Sequence, residues 1–340
     1  MDMKQAVDAV SRFKDLSREE MHDVMHLIMT GQSTPAQMAG FLVGLRMKGE
    51  TVDEITAAAE VMRKLATPVN IDSNNLVDIV GTGGDGANLF NVSTCTSLVV
   101  SSAGGQVAKH GNRSISSSSG SADLLDAAGV NLNLSPEQVA RCVTEIGVGF
   151  MFAPQFHSAM RHAVTVRGEM GVRTIFNILG PLTNPAGAKH QLLGVYTAKL
   201  VKPLAKVLGN LGLTHALVVS SDDGLDEISI AAPTHVAEYR DGRVIEYIIK
   251  PEDFGLQRHS LDPLRVNSAK ESLELIKQVL KNEPGPARDM VLLNAGAALF
   301  SADVADSIIE GVALAQDALA SGQAAEKLKV LVNFTQSLAE

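Results

Sequence analysis

From residue 76 onward, short apolar runs alternate with helical stretches, and this alternation constrains the fold more than any other feature of the chain. "LVDIV" (76–80), "GVNLN" (129–133), "GVGFMF" (147–152), "LLGVY" (192–196) and "HALVVSS" (215–221) are strand candidates, and Ser135-Pro136-Glu137-Gln138 opens a helix between two of them. Strands that alternate with helices pair in parallel and carry the helices on the sheet faces. "THVAEYRDGRVIEYIIK" (234–250) differs, because two alternating runs joined through Asp241-Gly242 form a hairpin. The sheet is therefore expected to carry an antiparallel extension. After Ser268 the pattern is helical again, including "EKLKVLVNFTQSL".

The first seventy residues read as helices only. Ser17-x-x-Glu20 and Thr51-x-x-Glu54 are capping boxes, in which hydroxyl and carboxylate satisfy backbone N–H groups reciprocally. Thr34-Pro35 places proline at the first helical position, where its missing donor is not needed. Gly31 and Gly49 read as helix stops. Met38, Phe41, Leu42 and Leu45 recur at helical spacing. The expected fold class is α/β: a small all-helical N-terminal domain at residues 1–70 and a larger domain at 71–340 with a mostly parallel central sheet flanked by helices.

A length of 340 residues fits about two domains. The net charge of -9 argues against a general nucleic-acid or membrane-surface role, because polyanions are repelled unless a local patch reverses the sign. With 4% aromatic residues and no Trp, base-stacking platforms are disfavoured. Cys95 and Cys142 form neither a CxxC pair nor a disulfide framework, which points to a reducing, cytoplasmic setting. The start, "MDMKQAVDAV", has no apolar signal core, and no stretch approaches the length of a membrane span.

"GTGGDG" (81–86) directly follows "LVDIV" and matches the dinucleotide fingerprint G-x-G-x-x-G. A dinucleotide site also needs an acidic residue about twenty positions on to hold the ribose hydroxyls. Between Asp85 and Asp123 there is no Asp or Glu, and the only formal charges are Lys109 and Arg113. A stretch of this length without a carboxylate, in an acidic protein, is suited to anions. Gly81, Gly83, Gly84 and Gly86 let backbone N–H groups approach phosphate oxygens. Asn91, Ser93 and Thr94 precede "CTSLVVSSAG", a candidate helix whose N-terminus adds its dipole. "KHGNRSISSSSGS" offers a point charge at Lys109, an amide at Asn112, a fork at Arg113 and a row of hydroxyls. No Gly-Lys-Ser/Thr follows, so this is not a Walker loop. The competing reading is a glycine-rich turn followed by an exposed serine loop.

"SSDDGLDEIS" (220–229) ends the strand "HALVV", where open α/β sheets place ligands. Asp222, Asp223, Asp226 and Glu227 repel one another unless a cation intervenes, and oxygen-only ligands suggest Mg²⁺ rather than zinc. A solvated acidic turn is the alternative. His157 and His162 flank "SAMR" and read as packing or surface residues, whereas His110 lies inside the polar anion loop.

Together, "GTGGDGANLFNVST", "VAKHGNRSISSSSGSADLL", "VRGEMGVRTIFNILGPLTNP" and "DDGLDEIS" resemble the anthranilate phosphoribosyltransferase family, from the N-terminal helices to the C-terminal ones. The pyrimidine nucleoside phosphorylases share the architecture but not the KHGN signature. The resemblance implies a helical domain carrying a homodimer contact, a segment near 165–185 that returns to that domain, and an active site between the domains. It implies phosphoribosyl pyrophosphate on Gly81, Gly84, Asp85, Asn91, Ser93 and Thr94, on Lys109, His110, Gly111, Asn112, Arg113, Ser116 and Ser117, and on Ser121. Mg²⁺ would be held by Ser93, Asp226 and Glu227. Anthranilate would meet Gly81, Asn112 and Arg167 with His110 nearby, positioned by these residues without a general base. Leu89, Ser118, Gly168 and Ser158 depart from the family's usual Thr, Lys, Arg or Lys, and Pro. A nucleoside phosphorylase-like enzyme and a non-catalytic nucleic-acid-binding relative are the alternatives.

Overall fold

A computed structural model of the chain describes residues 1–114 and 119–338. Its first four helices each start where a side chain can close the opening turn. Asp2 with Gln5 caps α1 (Met3–Ser11), Ser17 with Glu20 caps α2 (Arg18–Met29), Thr34 with Gln37 caps α3 (Pro35–Lys48), and Thr51 with Glu54 caps α4 (Val52–Leu65). Gly49 ends α3 at φ 87°, a conformation that side chains disfavour. The predicted stripe of Met38, Phe41, Leu42 and Leu45 is the buried face of α3.

The larger part begins with β1 (Leu76–Gly81), α5 (Val92–Ser102), β2 (Gln106–Gly111), α6 (Ser121–Ala127), α7 (Pro136–Ile146) and β3 (Val148–Phe152). The one-turn α8 (Ala153–Phe156), α9 (Arg161–Met170) and the one-turn α10 (Phe176–Leu179) follow. Next come β4 (His190–Gly194), α11 (Val201–Asn210), β5 (His215–Ser221), β6 (Thr234–Arg240) and β7 (Arg243–Ile249). The chain closes with α12 (Ala269–Leu280), α13 (Pro286–Ser301), α14 (Ile308–Ala320) and α15 (Gln323–Ser337). No helix among the described residues is long and apolar enough to cross a membrane.

The seven strands form one sheet in the order β3-β2-β1-β4-β5-β6-β7. The first five run parallel and the hairpin β6–β7 extends them antiparallel, turning at Asp241 (φ 50°) and Gly242 (φ 77°). Side chains alternate between faces. Val77, Ile79, Leu192, Leu217 and Val219 pack with α5 and the C-terminal helices, whereas Leu193, Val195, Ala216, Val218 and Ala237 pack with the N-terminal helices, α9 and α11. Ala163, Val166, Phe176, Leu179 and Leu182 share that second core.

Two sequence expectations fail. "GVNLN" is a loop rather than a strand: Asn131 Oδ1 accepts from the Asn133 N–H, and the Asn131 N–H donates to Thr335, so side chains replace the ladder. Conversely, "QVAKHG" is the strand β2, which its buried Lys and His concealed from a search for apolar runs.

At the N-terminal end of the sheet, His190, His215 and Asp303 cluster. Both His190 nitrogens face backbone carbonyls, and Arg240 lies 3.3 Å from Asp303, so hydrogen bonds and a guanidinium already serve this group. Buried His215 lies 2.9 Å from Asp303 and 3.2 Å from Glu238. The His215 contact and the Tyr247 hydroxyl outweigh burial and hold Glu238 below the usual carboxylate range. A depressed folded-state pKa means that the unfolded chain takes up the proton first as pH falls. The stabilisation is therefore present in full above the unfolded-state carboxylate pKa and is lost as pH falls through the lower folded-state one. Between pH 5 and 3, Glu238→Gln should flatten the fall of Tm relative to wild type; superimposable acid limbs would contradict this.

Candidate active site

Strand order reverses at β1, since the chain moves outward through β2 and β3 and then returns to lay β4 on the other side. The crevice beyond the C-terminal ends of β1 and β4 is thus a topological switch point, the usual ligand position in open α/β sheets. Both strands end in glycine, and Gly81 and Gly194 are register partners. A Cβ on Gly81 would fall on the Asp226 carboxylate, and one on Gly194 on the Asp226 carbonyl oxygen. The two missing side chains make the gap into which the acidic turn after β5 inserts. There Asp226 Oδ2 accepts the Gly83 N–H at 2.6 Å. Gly81 thus serves a different end from the one its place in the glycine run suggests: its bare backbone admits a carboxylate.

The four carboxylates of that turn divide. Asp222 pairs with His235 at 2.8 Å and Asp223 accepts from Ser229 at 2.6 Å, both at the exposed rim. Asp226 and Glu227 turn inward. Burial first, then the neighbouring Asp85, pushes Asp226 up to about 6, and burial with the Asp226 charge raises Glu227. Glu227 faces the Ser93 backbone N–H at the start of α5. Lys109, 3% exposed, donates to the Ile79 carbonyl and, at 3.1 Å, to Ser93 Oγ; burial lowers its pKa while Asp78, Glu227 and Asp226 oppose that. Asp226 and Glu227, adjacent and turned inward with Asp85 among the charges acting on them, offer oxygen donors only, a chemistry that suits a hard divalent cation.

The rest of the predicted anion loop splits by function. Gly111 ends β2, and a Cβ there would fall on Ser121 Oγ. Asn91 is tied into the fold: its Oδ1 accepts from Ser119 and Ser272, and its Nδ2 donates to the Ser119 carbonyl, joining the start of α5 to α12. The Thr94 hydroxyl is buried with no partner among the described residues. Asn112 is exposed and its Oδ1 accepts from the Arg113 N–H. Arg113 forms ion pairs with Asp123 and Asp126, both at 3.0 Å, so its fork is already occupied. Ser116, Ser117 and Ser118 lie outside the described residues. Leu89 pairs its backbone with Arg265 and packs on the core; Ser158 opens a single 3₁₀ turn; Gly168 faces open space on α9.

The motif "RTIFNILGPLTNP" builds the wall behind β2. Asn184 donates to the Ala108 carbonyl at 2.9 Å, and Gln191 to the Pro181 carbonyl at 2.7 Å. The Gly180 carbonyl faces the His110 ring, whose Nε2 is buried without a partner among the described residues. His157, which sequence alone assigns to packing, stands beside it with ring centroids 5.0 Å apart. Burial above all, then His157, pulls His110 down to about 3, and burial pulls His157 down to about 4, so both imidazoles are neutral. Arg167 on α9 lies 5.2 Å from the centre of the Phe176 ring, its pKa lowered by burial, with no hydrogen bond or ion pair among the described residues. Arg173, absent from the sequence expectations, donates to the Gly84 carbonyl.

By the family models that match both of its parts, the chain belongs to the glycosyl transferase family. Residues 4–66 match the family model "Glycosyl transferase family, helical bundle domain", and residues 73–325 match "Glycosyl transferase family, a/b domain". The chain is 64% identical to the anthranilate phosphoribosyltransferase of Thioalkalivibrio sulfidiphilus, covering 99% of this chain and 100% of that protein. To the one from Chromohalobacter salexigens it is 63% identical, covering 100% and 98%. Among solved structures, the Thermus thermophilus enzyme matches with a TM-score of 0.92 at 44% identity, over 97% of this chain and 99% of that one. The Saccharomyces cerevisiae enzyme in complex with PRPP and Mg matches with a TM-score of 0.90 at 27% identity, over 98% of each chain. The chain belongs to the anthranilate phosphoribosyltransferase family.

The glycine pair at the strand ends yields a direct test. Overpacking at a filled site typically costs about 1–3 kcal/mol, which, where it falls on the transition state, is roughly a five- to 160-fold effect on a rate. Gly194→Ala should lower kcat/KM by about that much by displacing the Asp226 turn. Unaltered kinetics would show that the turn does not depend on the gap.

Proposed function

We propose that the cleft binds phosphoribosyl pyrophosphate with Mg²⁺ and transfers its phosphoribosyl group to the amine of anthranilate, giving N-(5-phosphoribosyl)anthranilate and pyrophosphate. The observation that carries this reading is the contact of Asp226 with the Gly83 N–H, which joins the acid pair to the glycine loop at one cleft. Asp226, Glu227 and Ser93 would hold Mg²⁺, which when bound neutralises charge on the leaving pyrophosphate. Backbone N–H groups of residues 84–86 and the N-terminus of α5 offer further positive potential to the phosphates. As the anomeric C–O bond stretches, the ribose gains positive charge and the pyrophosphate negative charge, so donors fixed in advance at the leaving group lower the barrier.

An aromatic amine is neutral near pH 7, and its lone pair needs no strong base to free it. Neutral His110 and His157 suit that chemistry, walling a slot for an aromatic acid without presenting a cation to the amine. Arg167, half-buried and without an acidic partner among the described residues, would pair with the substrate carboxylate through its fork, while Asn112 and Gly81 border the amine. Positioning of this kind supplies much of the rate in a transfer between two bound substrates.

The helical unit is residues 1–70 with the segment near 165–185, and the phosphoribosyl pyrophosphate unit is residues 71–340. The packing of Ala163, Val166 and Leu179 in one core with α1–α4 supports the return of that segment to the helical layer. The protein acts in the cytoplasm as a homodimer through the helical unit; the exposed Phe13, Val43 and Met47 give that unit an apolar surface for a second copy.

Arg167→Ala should raise KM for anthranilate by about tenfold or more, the size of one lost charge-assisted hydrogen-bond pair, with a smaller effect on kcat. Steady-state kinetics from the decay of anthranilate fluorescence read this directly, and an unchanged KM would remove Arg167 from the site. In the same assay Asp226→Ala/Glu227→Ala should show no Mg²⁺-dependent turnover. Full activity of that double variant at ordinary Mg²⁺ would overturn the metal assignment, and product from pyrimidine nucleosides and phosphate would favour a phosphorylase.

A further inference from the structure

Arg173 belongs to neither substrate set above, yet it bridges the two layers that form the cleft. Its backbone carbonyl accepts from Arg46 on α3 at 3.0 Å, which ties the loop after α9 to the helical layer. Its guanidinium reaches the other way, stacking 4.4 Å from the centre of the Tyr196 ring just beyond β4. From there it donates to the Gly84 carbonyl. Gly84 sits at φ 82°, and a Cβ on it would lie 2.9 Å from Arg173 Nη2, so the missing side chain makes room for the guanidinium.

In a trans peptide the C=O and the following N–H point in opposite directions. Holding the Gly84 carbonyl to Arg173 therefore turns the Asp85 N–H away from Arg173 and fixes that peptide plane. It also covers, with a cation, a carbonyl oxygen that would repel a phosphate if left bare. We propose that Arg173 is a positioning residue for the pyrophosphate end of the donor: stacked on Tyr196, it sets the peptide after Gly84 and couples the glycine loop to the helical layer. The proposal rests on the reading that residues 81–86 bind phosphoribosyl pyrophosphate. Tyr196 takes part only through its ring face, so Tyr196→Phe keeps the latch whereas Tyr196→Leu removes the stacking surface.

The test is calorimetric titration of Mg²⁺·phosphoribosyl pyrophosphate into wild type, Arg173→Ala, Tyr196→Leu and Tyr196→Phe, with KM for each substrate and Tm measured in parallel. Arg173→Ala should weaken donor binding and raise donor KM by about tenfold, the scale of one hydrogen bond from a charged group, with anthranilate KM and Tm little changed. Tyr196→Leu should shift donor binding in the same direction by a smaller factor, and Tyr196→Phe should match wild type. If wild type does not bind the donor, the reading of the loop itself fails. If wild type binds and Arg173→Ala binds equally well, or if both KM values rise together with a drop in Tm, the positioning role is overturned. Should Arg173→Ala fail to fold, Tyr196→Leu decides: donor affinity equal to that of Tyr196→Phe overturns the role, and a selective loss supports it.

Discussion

The site depends on one steric condition, the absence of two side chains at paired strand ends. Gly81 and Gly194 are neighbours in register at the C-terminal edge of the sheet, and Asp226 occupies the space that their Cβ atoms would fill. The backbone of the turn and the carboxylate are both placed by this gap, so the acid pair, the glycine loop and the start of α5 meet without any mobile side chain acting as a spacer. A preorganised arrangement of this kind lowers the reorganisation that charge development on the leaving group requires.

Electrostatics give that geometry its chemical character. Asp78, buried under β2 with its carboxylate accepting the His110 N–H, is pushed up to about 6 by burial, while Lys109 beside it is driven down. Asp226 and Glu227 are raised in the same direction as Asp78, and Asp85 adds to the crowding. Lys109 faces Asp78, Glu227 and Asp226, which oppose the lowering of its pKa by burial. The His110–His157 pair behind β2 has the opposite character, two imidazoles whose pKa values burial pulls down.

Much of this was legible in the sequence because local chemistry leaves local marks. Capping pairs such as Ser17 with Glu20 bond within a single turn, and the Asp241-Gly242 hairpin needs only positive φ at two residues. What the sequence did not disclose lies in contacts between distant segments. Lys109 reads as a loop cation but is a buried strand residue bonded to Ile79 and Ser93, and Arg113 reads as a phosphate fork but pairs with Asp123 and Asp126. His157 gains meaning only from His110, and Arg173 only from Gly84 and Tyr196. "GVNLN" failed as a strand because its asparagines bond to side chains and near neighbours, a choice made by the packing of α15.

The most direct test is anomalous diffraction from crystals soaked with Mn²⁺ and phosphoribosyl pyrophosphate. A Mn²⁺ peak bonded to the Asp226 and Glu227 carboxylates, with the diphosphate lying against the backbone of residues 83–86, is the expected result. A metal held elsewhere, with both carboxylates unligated and the donor away from the glycine loop, would contradict it.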